Sequence, residues 1–110
     1  MNVTRGDPEI DNGYLSPQQI NRVVRAHQSV IRFCYESQLQ QQPRLRGNVA
    51  VRFRIGMDGR VRRADVANSS LNNTRVHGCM VRAIRGWQFP MPDGGEVVVT
   101  YPFFMGVAGR

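Results

Sequence analysis

Residues 47–66 constrain the fold most, because they read as two strands joined by a tight turn. From Gly47 onwards apolar and polar side chains alternate with a period of two, which is typical of a strand with one buried face. The turn GMDGR contains Asp58-Gly59, a pair suited to the positive φ angles of a hairpin. After Val61 the next apolar residue is Ala64, three positions on, which breaks the alternation. We therefore expect a β-bulge at Arg62-Arg63 that restores the register. The sequence therefore predicts an antiparallel hairpin.

A long amphipathic helix is predicted before the hairpin. Ser16 and Gln19 form a capping-box pattern, and Pro17 suits the first helical position. Apolar residues then recur at three- and four-residue spacing: Ile20, Val23, Val24, His27, Val30, Ile31, Cys34 and Tyr35. We expect the helix to end near the QQQ run, because Pro43 disfavours helix in the residue before it.

A second, shorter helix and a last strand follow the hairpin. The helix is predicted for residues 74–85, with Gly78 in its middle, which costs about 1 kcal/mol relative to alanine unless close packing requires it. Its apolar stripe consists of Val76, Cys79, Met80, Ala83, Ile84 and Trp87. Residues 96–104, EVVVTYPFF, read as a strand. Pro102 cannot donate a ladder hydrogen bond, which favours a position at the edge of the sheet.

This order of elements predicts an α+β fold in which two helices pack on one face of a three-stranded antiparallel sheet, in the order α-β-β-α-β. At 110 residues the chain suits one domain, which we place at residues 16–105. Residues 1–15 show little periodicity and are predicted to be a flexible, mostly irregular lead-in, with residues 106–110 as a tail. No apolar run reaches the roughly 18 residues of a transmembrane helix, and the N-terminus lacks the apolar core of a signal peptide.

The formal net charge is +7, and all fifteen basic residues are arginine. This charge suggests anionic partners, although a coding bias towards arginine, with arginine serving only as the solubilising cation, also explains the absence of lysine. The strand alternation places Arg52 and Arg54 on the outer sheet face, with Arg60 and either Arg62 or Arg63 across from them. Guanidinium groups grip carboxylates and phosphates in bidentate fashion. The sequence thus leaves open a surface that binds cell-wall carboxylates, lipid phosphates, an acidic partner protein or nucleic acid, and a surface that is only solvated.

The sequence shows no catalytic constellation and predicts neither an enzyme nor a cofactor. His27 lies on the apolar stripe of the first helix, which is typical of a core or boundary histidine. Cys34 and Cys79 would need two further ligands to hold a metal ion. Both cysteines fall on predicted core faces, so their positions alone allow either a disulfide or two buried free thiols.

Two long segments resemble a known family. They are CYESQLQQQPRLRGNVAVRFRIGMDGRVRRADVANSSL and VHGCMVRAIRGWQFPMPDGGEVVVTYPFF. Their motifs, in this order and spacing, are similar to the AgmX/PglI C-terminal domain, a subgroup of the TonB C-terminal domain family found in bacterial gliding-motility proteins. The resemblance covers about residues 14–105. The longer first helix, the cysteine pair and the lack of an opening Tyr-Pro distinguish the chain from TonB itself.

The resemblance implies a non-enzymatic periplasmic domain at the end of a chain that upstream segments anchor in the inner membrane. It implies a structural disulfide between Cys34 and Cys79, and an outer-membrane or periplasmic protein as partner. Such domains often add a partner's extended segment to the edge of their sheet, and an exposed edge also accepts a second copy of the domain. We expect the last strand to be that edge, with these binding residues: Val97, Val98, Val99, Thr100 and Phe104.

Overall fold

The computed structural model describes residues 2–106, which contain five strands and three helices. In chain order they are β1 (Asn2–Arg5), β2 (Glu9–Tyr14), α1 (Pro17–Ala26), α2 (Gln28–Glu36), β3 (Gly47–Ile55), β4 (Val61–Ser69), α3 (Thr74–Arg85) and β5 (Asp93–Gly106). The predicted α+β class is confirmed. The predicted count of two helices and three strands is wrong.

The sheet is antiparallel and four strands wide. Its order is β4, β3, β5, and the far side of β5 is shared by β2 and then β1. Ile10 of β2 lies opposite Val99, and Val3 of β1 lies opposite Met105. The prediction of an irregular lead-in at residues 1–15 is therefore wrong. These two strands are too short to show clear periodicity, and their pairing partner lies about 90 residues further along the chain.

Pro102 lies inside the sheet. The sheet tolerates it because β1 ends and β2 has not yet begun at the position beside it. The N–H and C=O of one strand residue point to the same side, and the carbonyl of Pro102 accepts a 3.0 Å bond from the N–H of Gly6. The missing donor of Pro102 therefore faces the gap between β1 and β2 rather than β3. A Cβ on Gly6 would lie 2.6 Å from the Cγ of Pro102, so only glycine fits there without movement. The prediction that β5 lies at the edge of the sheet is wrong, because β5 pairs with β3 on one side and with β1 and β2 on the other.

The β3–β4 hairpin and its bulge are confirmed. Arg54 lies opposite Arg63 and Ile55 lies opposite Val61, which leaves Arg62 as the extra residue. Gly59 has φ +83° in the turn, and a Cβ there would lie 2.0 Å from the carbonyl oxygen of Phe89. The turn therefore needs glycine both for its backbone angle and for its contact with the segment after α3.

The first predicted helix is interrupted at His27, which separates α1 from α2. The capping box at its start is confirmed, with Ser16 and Gln19 bonded reciprocally at 2.9 and 3.1 Å. The His27 backbone, at φ −113° and ψ 11°, leaves the helical region. Its ring nitrogen Nδ1 lies 2.9 Å from the carbonyl oxygen of Val23, and the ring stacks on Trp87 at 5.0 Å between centroids. His27 is thus a boundary residue, as predicted.

The three helices cover one face of the sheet, and the core lies between the two layers. Most of its sheet side comes from alternate residues of β3 and β5: Val49, Val51, Phe53, Ile55, Val97, Val99, Tyr101, Phe103 and Met105. Most of the predicted helical stripe is buried or partly buried against them. Val30 is an exception, since it is 42% exposed and lies beside the more exposed Phe33. The buried residues of α2, Ile31, Cys34 and Tyr35, continue the stripe of α1, and Val30 lies at its flank.

Replacing Gly78 by alanine is expected to stabilise the domain by about 0.5–1 kcal/mol. Gly78 lies in the middle of α3, and the nearest atom to an added Cβ is Nη1 of Arg82 at 3.3 Å, the mobile end of an exposed side chain. Among the described residues, no backbone or core atom lies close enough to require a glycine, so close packing does not explain Gly78. Urea unfolding of Gly78→Ala, compared with wild type, measures the gain. A loss of stability would show that Arg82 cannot move.

Candidate interaction surfaces

Cys34 of α2 and Cys79 of α3 form a disulfide bond. Their Cα atoms lie 5.6 Å apart, a distance within the usual range for such bonds. Cys34 is fully buried and Cys79 is partly buried, because both lie on the core-facing sides of helices that cross above the sheet. The predicted pairing is confirmed. Neither sulfur is available as a nucleophile while the bond is intact.

The residues predicted to bind a partner strand on β5 lie in the middle of the sheet. Val97 and Val99 point into the core, while Val98, Thr100 and Phe104 point to the open face. The backbone of this strand is paired with β3 on one side and with β2 and β1 on the other. A partner strand cannot add to β5 unless β1 and β2 leave first.

Within residues 2–106, β4, the second strand of the hairpin, forms one free edge of the sheet. It pairs with β3 on one side, and an isolated bridge between Arg60 and Gln88 lies just before it. Ala64 is its fully buried side chain, and Val61 and Val66 pack partly buried against the core. Register shifts near both ends leave residues 63–66 as the regular stretch between two bulges. Sequence reasoning missed this edge, because strand order within a sheet depends on pairings that local patterns do not encode.

The open face of the sheet carries three arginines near its centre. Arg54 lies opposite Arg63 on β4, and Arg52 lies opposite Asp65. Together with Val98 these residues line a surface cavity of about 260 Å³. Their charge is partly compensated, because Asp65 Oδ2 lies 2.9 Å from Arg63 Nε. Glu96 Oε1 likewise lies 3.6 Å from Arg54 Nη1.

Arg60 and Arg62, two further arginines predicted for this face, lie near Asp58 of the hairpin turn. Arg62 Nη2 is 3.1 Å from Asp58 Oδ2, and Arg60 Nε is 4.0 Å from the same oxygen. The backbone N–H of Arg60 also donates to Asp58. This hydrogen bond is the main cause that lowers the pKa of the Asp58 carboxyl, and the nearby guanidinium groups add to it. The bulge leaves Arg62 without a partner on β3 and places Arg63 opposite Arg54, so of the two alternatives Arg63 is the one paired across from the predicted arginines.

A serine–histidine contact that the sequence did not suggest joins the end of β4 to α3. His77 Nε2 lies 2.9 Å from Ser69 Oγ and 2.9 Å from the carbonyl oxygen of Leu71. A carbonyl oxygen only accepts, so its bond to His77 requires the proton on Nε2. That nitrogen cannot then take a proton from Ser69. The contact ties α3 to the loop before it and does not form a nucleophile–base pair.

No helix within residues 2–106 is long and apolar enough to cross a membrane. Over the same range, no group of three or more His, Cys, Asp and Glu side chains is placed to hold a metal ion. Comparisons of the chain with protein-family models, with curated proteins and with solved structures gave no match. The fold and its sites therefore define a disulfide-linked α+β domain, and the family resemblance stays a prediction.

Proposed function

We propose that this chain is a non-enzymatic protein-interaction domain that acts outside the cytoplasm and binds an extended segment of a partner protein along β4. The observation that carries the proposal is that β4 pairs with a single strand, β3, within the described residues. Unpaired backbone groups at a sheet edge accept a further strand, whose main-chain hydrogen bonds supply affinity. The resemblance to the TonB-like ends of gliding-motility proteins supports the same mode and suggests a periplasmic or outer-membrane partner.

The disulfide supports the extracytoplasmic location. Structural disulfides persist in oxidising compartments such as the bacterial periplasm and are rare in the cytosol. The Cys34–Cys79 bond links two helices of the core and closes a long loop, with a sequence separation of 45. Such a bond is a structural element and not a transient redox pair.

The chemistry of β4 makes the edge selective. The side chains of Arg63 and Asp65 are exposed on its regular stretch, and charged side chains and bulges deter pairing with arbitrary strands. Side chains on adjacent strands lie about 4.5–5.5 Å apart, so a partner residue beside Arg63 is close enough for charge to matter. We therefore expect the partner segment to carry an acidic residue next to Arg63.

The arginines of the open face are less well suited to nucleic acid. Two of the three arginines lie near Glu96 or Asp65. The aromatic residue of β3, Phe53, points into the core. A single-strand binding surface needs exposed aromatic rings between its cations.

Peptides selected from a random library by binding to the oxidised domain test the proposal. We expect the selected peptides to slow hydrogen exchange of backbone amides in residues 61–69 and to leave those of β1 unchanged. Arg63→Glu is expected to weaken their binding by about tenfold through charge repulsion. Arg5→Glu is the matched control, because it makes the same change in an exposed residue at the opposite edge of the sheet.

Protection centred on another element, or equal loss of binding in both variants, would contradict strand addition at β4. Sedimentation of the domain alone decides whether a second copy occupies this edge. A dimer whose β4 amides are protected would make the partner another copy of the chain.

A further inference from the structure

Positive charge is concentrated on the helices. Elements α1, α2 and α3 contain six arginines and one acidic residue, Glu36, and so carry +5 of the net +7 of the whole chain. All six arginines are exposed: Arg22, Arg25, Arg32, Arg75, Arg82 and Arg85. The first turns of the three helices contain no acidic residue.

Most of the acidic residues belong to the other layer, which consists of the sheet and its turns. Seven of the eight in the chain belong to strands or to the turns between them. Within residues 2–106, all four ion pairs join arginines of the sheet and its hairpin to Asp58, Asp65 or Glu96. Among the described residues, no ion pair joins a helical arginine to a carboxylate, so the helical layer is the more cationic side of the domain.

Two large apolar side chains are exposed within this cationic side. Phe33 is 64% exposed and Val30 is 42% exposed, and both belong to α2. A spacing of three residues makes them neighbours on the helix surface. Arg32 adjoins Phe33 in the chain, so α2 carries both a cation and the exposed apolar pair.

We infer that the outer face of the helical layer binds the surface of an anionic lipid bilayer. Its arginines contact headgroup phosphates, and Phe33 with Val30 inserts into the interfacial region. This arrangement fits a lipid surface better than nucleic acid, because Phe33 is the one exposed aromatic among the helical residues, whereas binding of successive bases uses several stacking rings. The disulfide joins α2 to α3 and holds both sets of arginines in one layer.

The inferred surface does not overlap the proposed strand-binding edge. The helices cover the face of the sheet opposite to Arg52 and Arg54, and the edge of β4 borders both faces. A domain resting on a membrane through its helices would keep its open sheet face exposed to the aqueous compartment. The two proposals can therefore fail independently.

Co-sedimentation of the oxidised domain with lipid vesicles tests the inference. We expect binding to vesicles of equimolar phosphatidylglycerol and phosphatidylcholine, and none to pure phosphatidylcholine. Binding should weaken strongly between about 50 and about 300 mM salt, as surface charges are screened. The triple variant Arg22→Gln, Arg32→Gln, Arg82→Gln is expected to bind roughly 100-fold more weakly, since each arginine near an anionic surface contributes about fivefold.

The matched control is Arg52→Gln, Arg54→Gln, Arg63→Gln, which removes the same charge from the open sheet face. We expect it to change vesicle binding by less than about threefold. Phe33→Ser tests insertion separately and should weaken binding by about fivefold or more without loss of the fold, because Phe33 is already exposed.

Absence of binding to anionic vesicles, or equal losses in the two triple variants, would overturn the inference. Tighter binding of the domain to duplex DNA than to vesicles, through the same helical arginines, would assign the surface to nucleic acid. Peptide selection on β4 is unaffected by either result.

Discussion

Loss of the Cys34–Cys79 bond is expected to lower the free energy of unfolding by about 4 kcal/mol. The bond closes a loop with a sequence separation of 45, and the chain-entropy model assigns such a loop a large share of the roughly 5–15 kcal/mol that stabilises a domain. Urea unfolding of the oxidised domain and of the double variant Cys34→Ala, Cys79→Ala measures the difference.

Reduced wild-type protein separates the cross-link from side-chain packing. It keeps both sulfur atoms in the core and loses the bond alone, so it should account for most of the loss. The double variant should be slightly less stable, because Cys34 is fully buried and alanine leaves a small void. Equal stability of the oxidised and reduced forms would show that the bond is dispensable, and would remove the main structural support for an extracytoplasmic location.

Deletion of residues 1–14 is expected to lower the free energy of unfolding by about 5 kcal/mol, because it removes two strands from the sheet. β1 buries Val3, and the carbonyl oxygen of Val3 accepts a 2.7 Å bond from Nε2 of Gln28 on α2. β2 pairs with residues 93–100 of β5. Urea unfolding and hydrogen exchange of the β5 amides measure the loss.

Deletion of residues 1–7 provides the graded control. It removes β1 and leaves β2, so its effect should be intermediate, and exchange should accelerate only for β5 amides near residues 103–106. The longer deletion exposes one full side of β5, and we expect it to promote association through that new edge. Unchanged stability and exchange in the longer deletion would show that β1 and β2 do not pair with β5 in solution.

The two deletions also bear on strand addition. If a partner peptide selected on the full chain binds β4, its affinity should change little when β1 and β2 are removed. A peptide that binds only the truncated chain would instead indicate that the N-terminal strands occupy the partner's place on β5.

Local patterns were sufficient for elements whose signal lies within a few turns or one hairpin. The capping box at Ser16, the bulge at Arg62 and the extent of α3 follow from spacing and turn chemistry over fewer than about 15 residues. The same patterns placed Cys34 and Cys79 on core faces, although the bond between them was predicted only with the help of the family resemblance.

Non-local contacts decided the rest. Pro102 reads as an edge residue in isolation, and it is tolerated inside the sheet because Gly6 approaches it where β1 gives way to β2. The first helix is interrupted at His27, whose ring packs on Trp87 some 60 residues away. Neither contact leaves a mark in the periodicity of its own segment.

The sequence by itself determined the α+β class, the hairpin and the amphipathic faces of the helices, since these depend on the order of apolar residues along the chain. Only the tertiary structure decided the strand order, the free edge at β4 and the separation of charge between the two layers. Pairing of distant strands is set by which backbone groups and buried surfaces fit together in space, and period-two patterns in short strands such as β1 and β2 do not specify a partner.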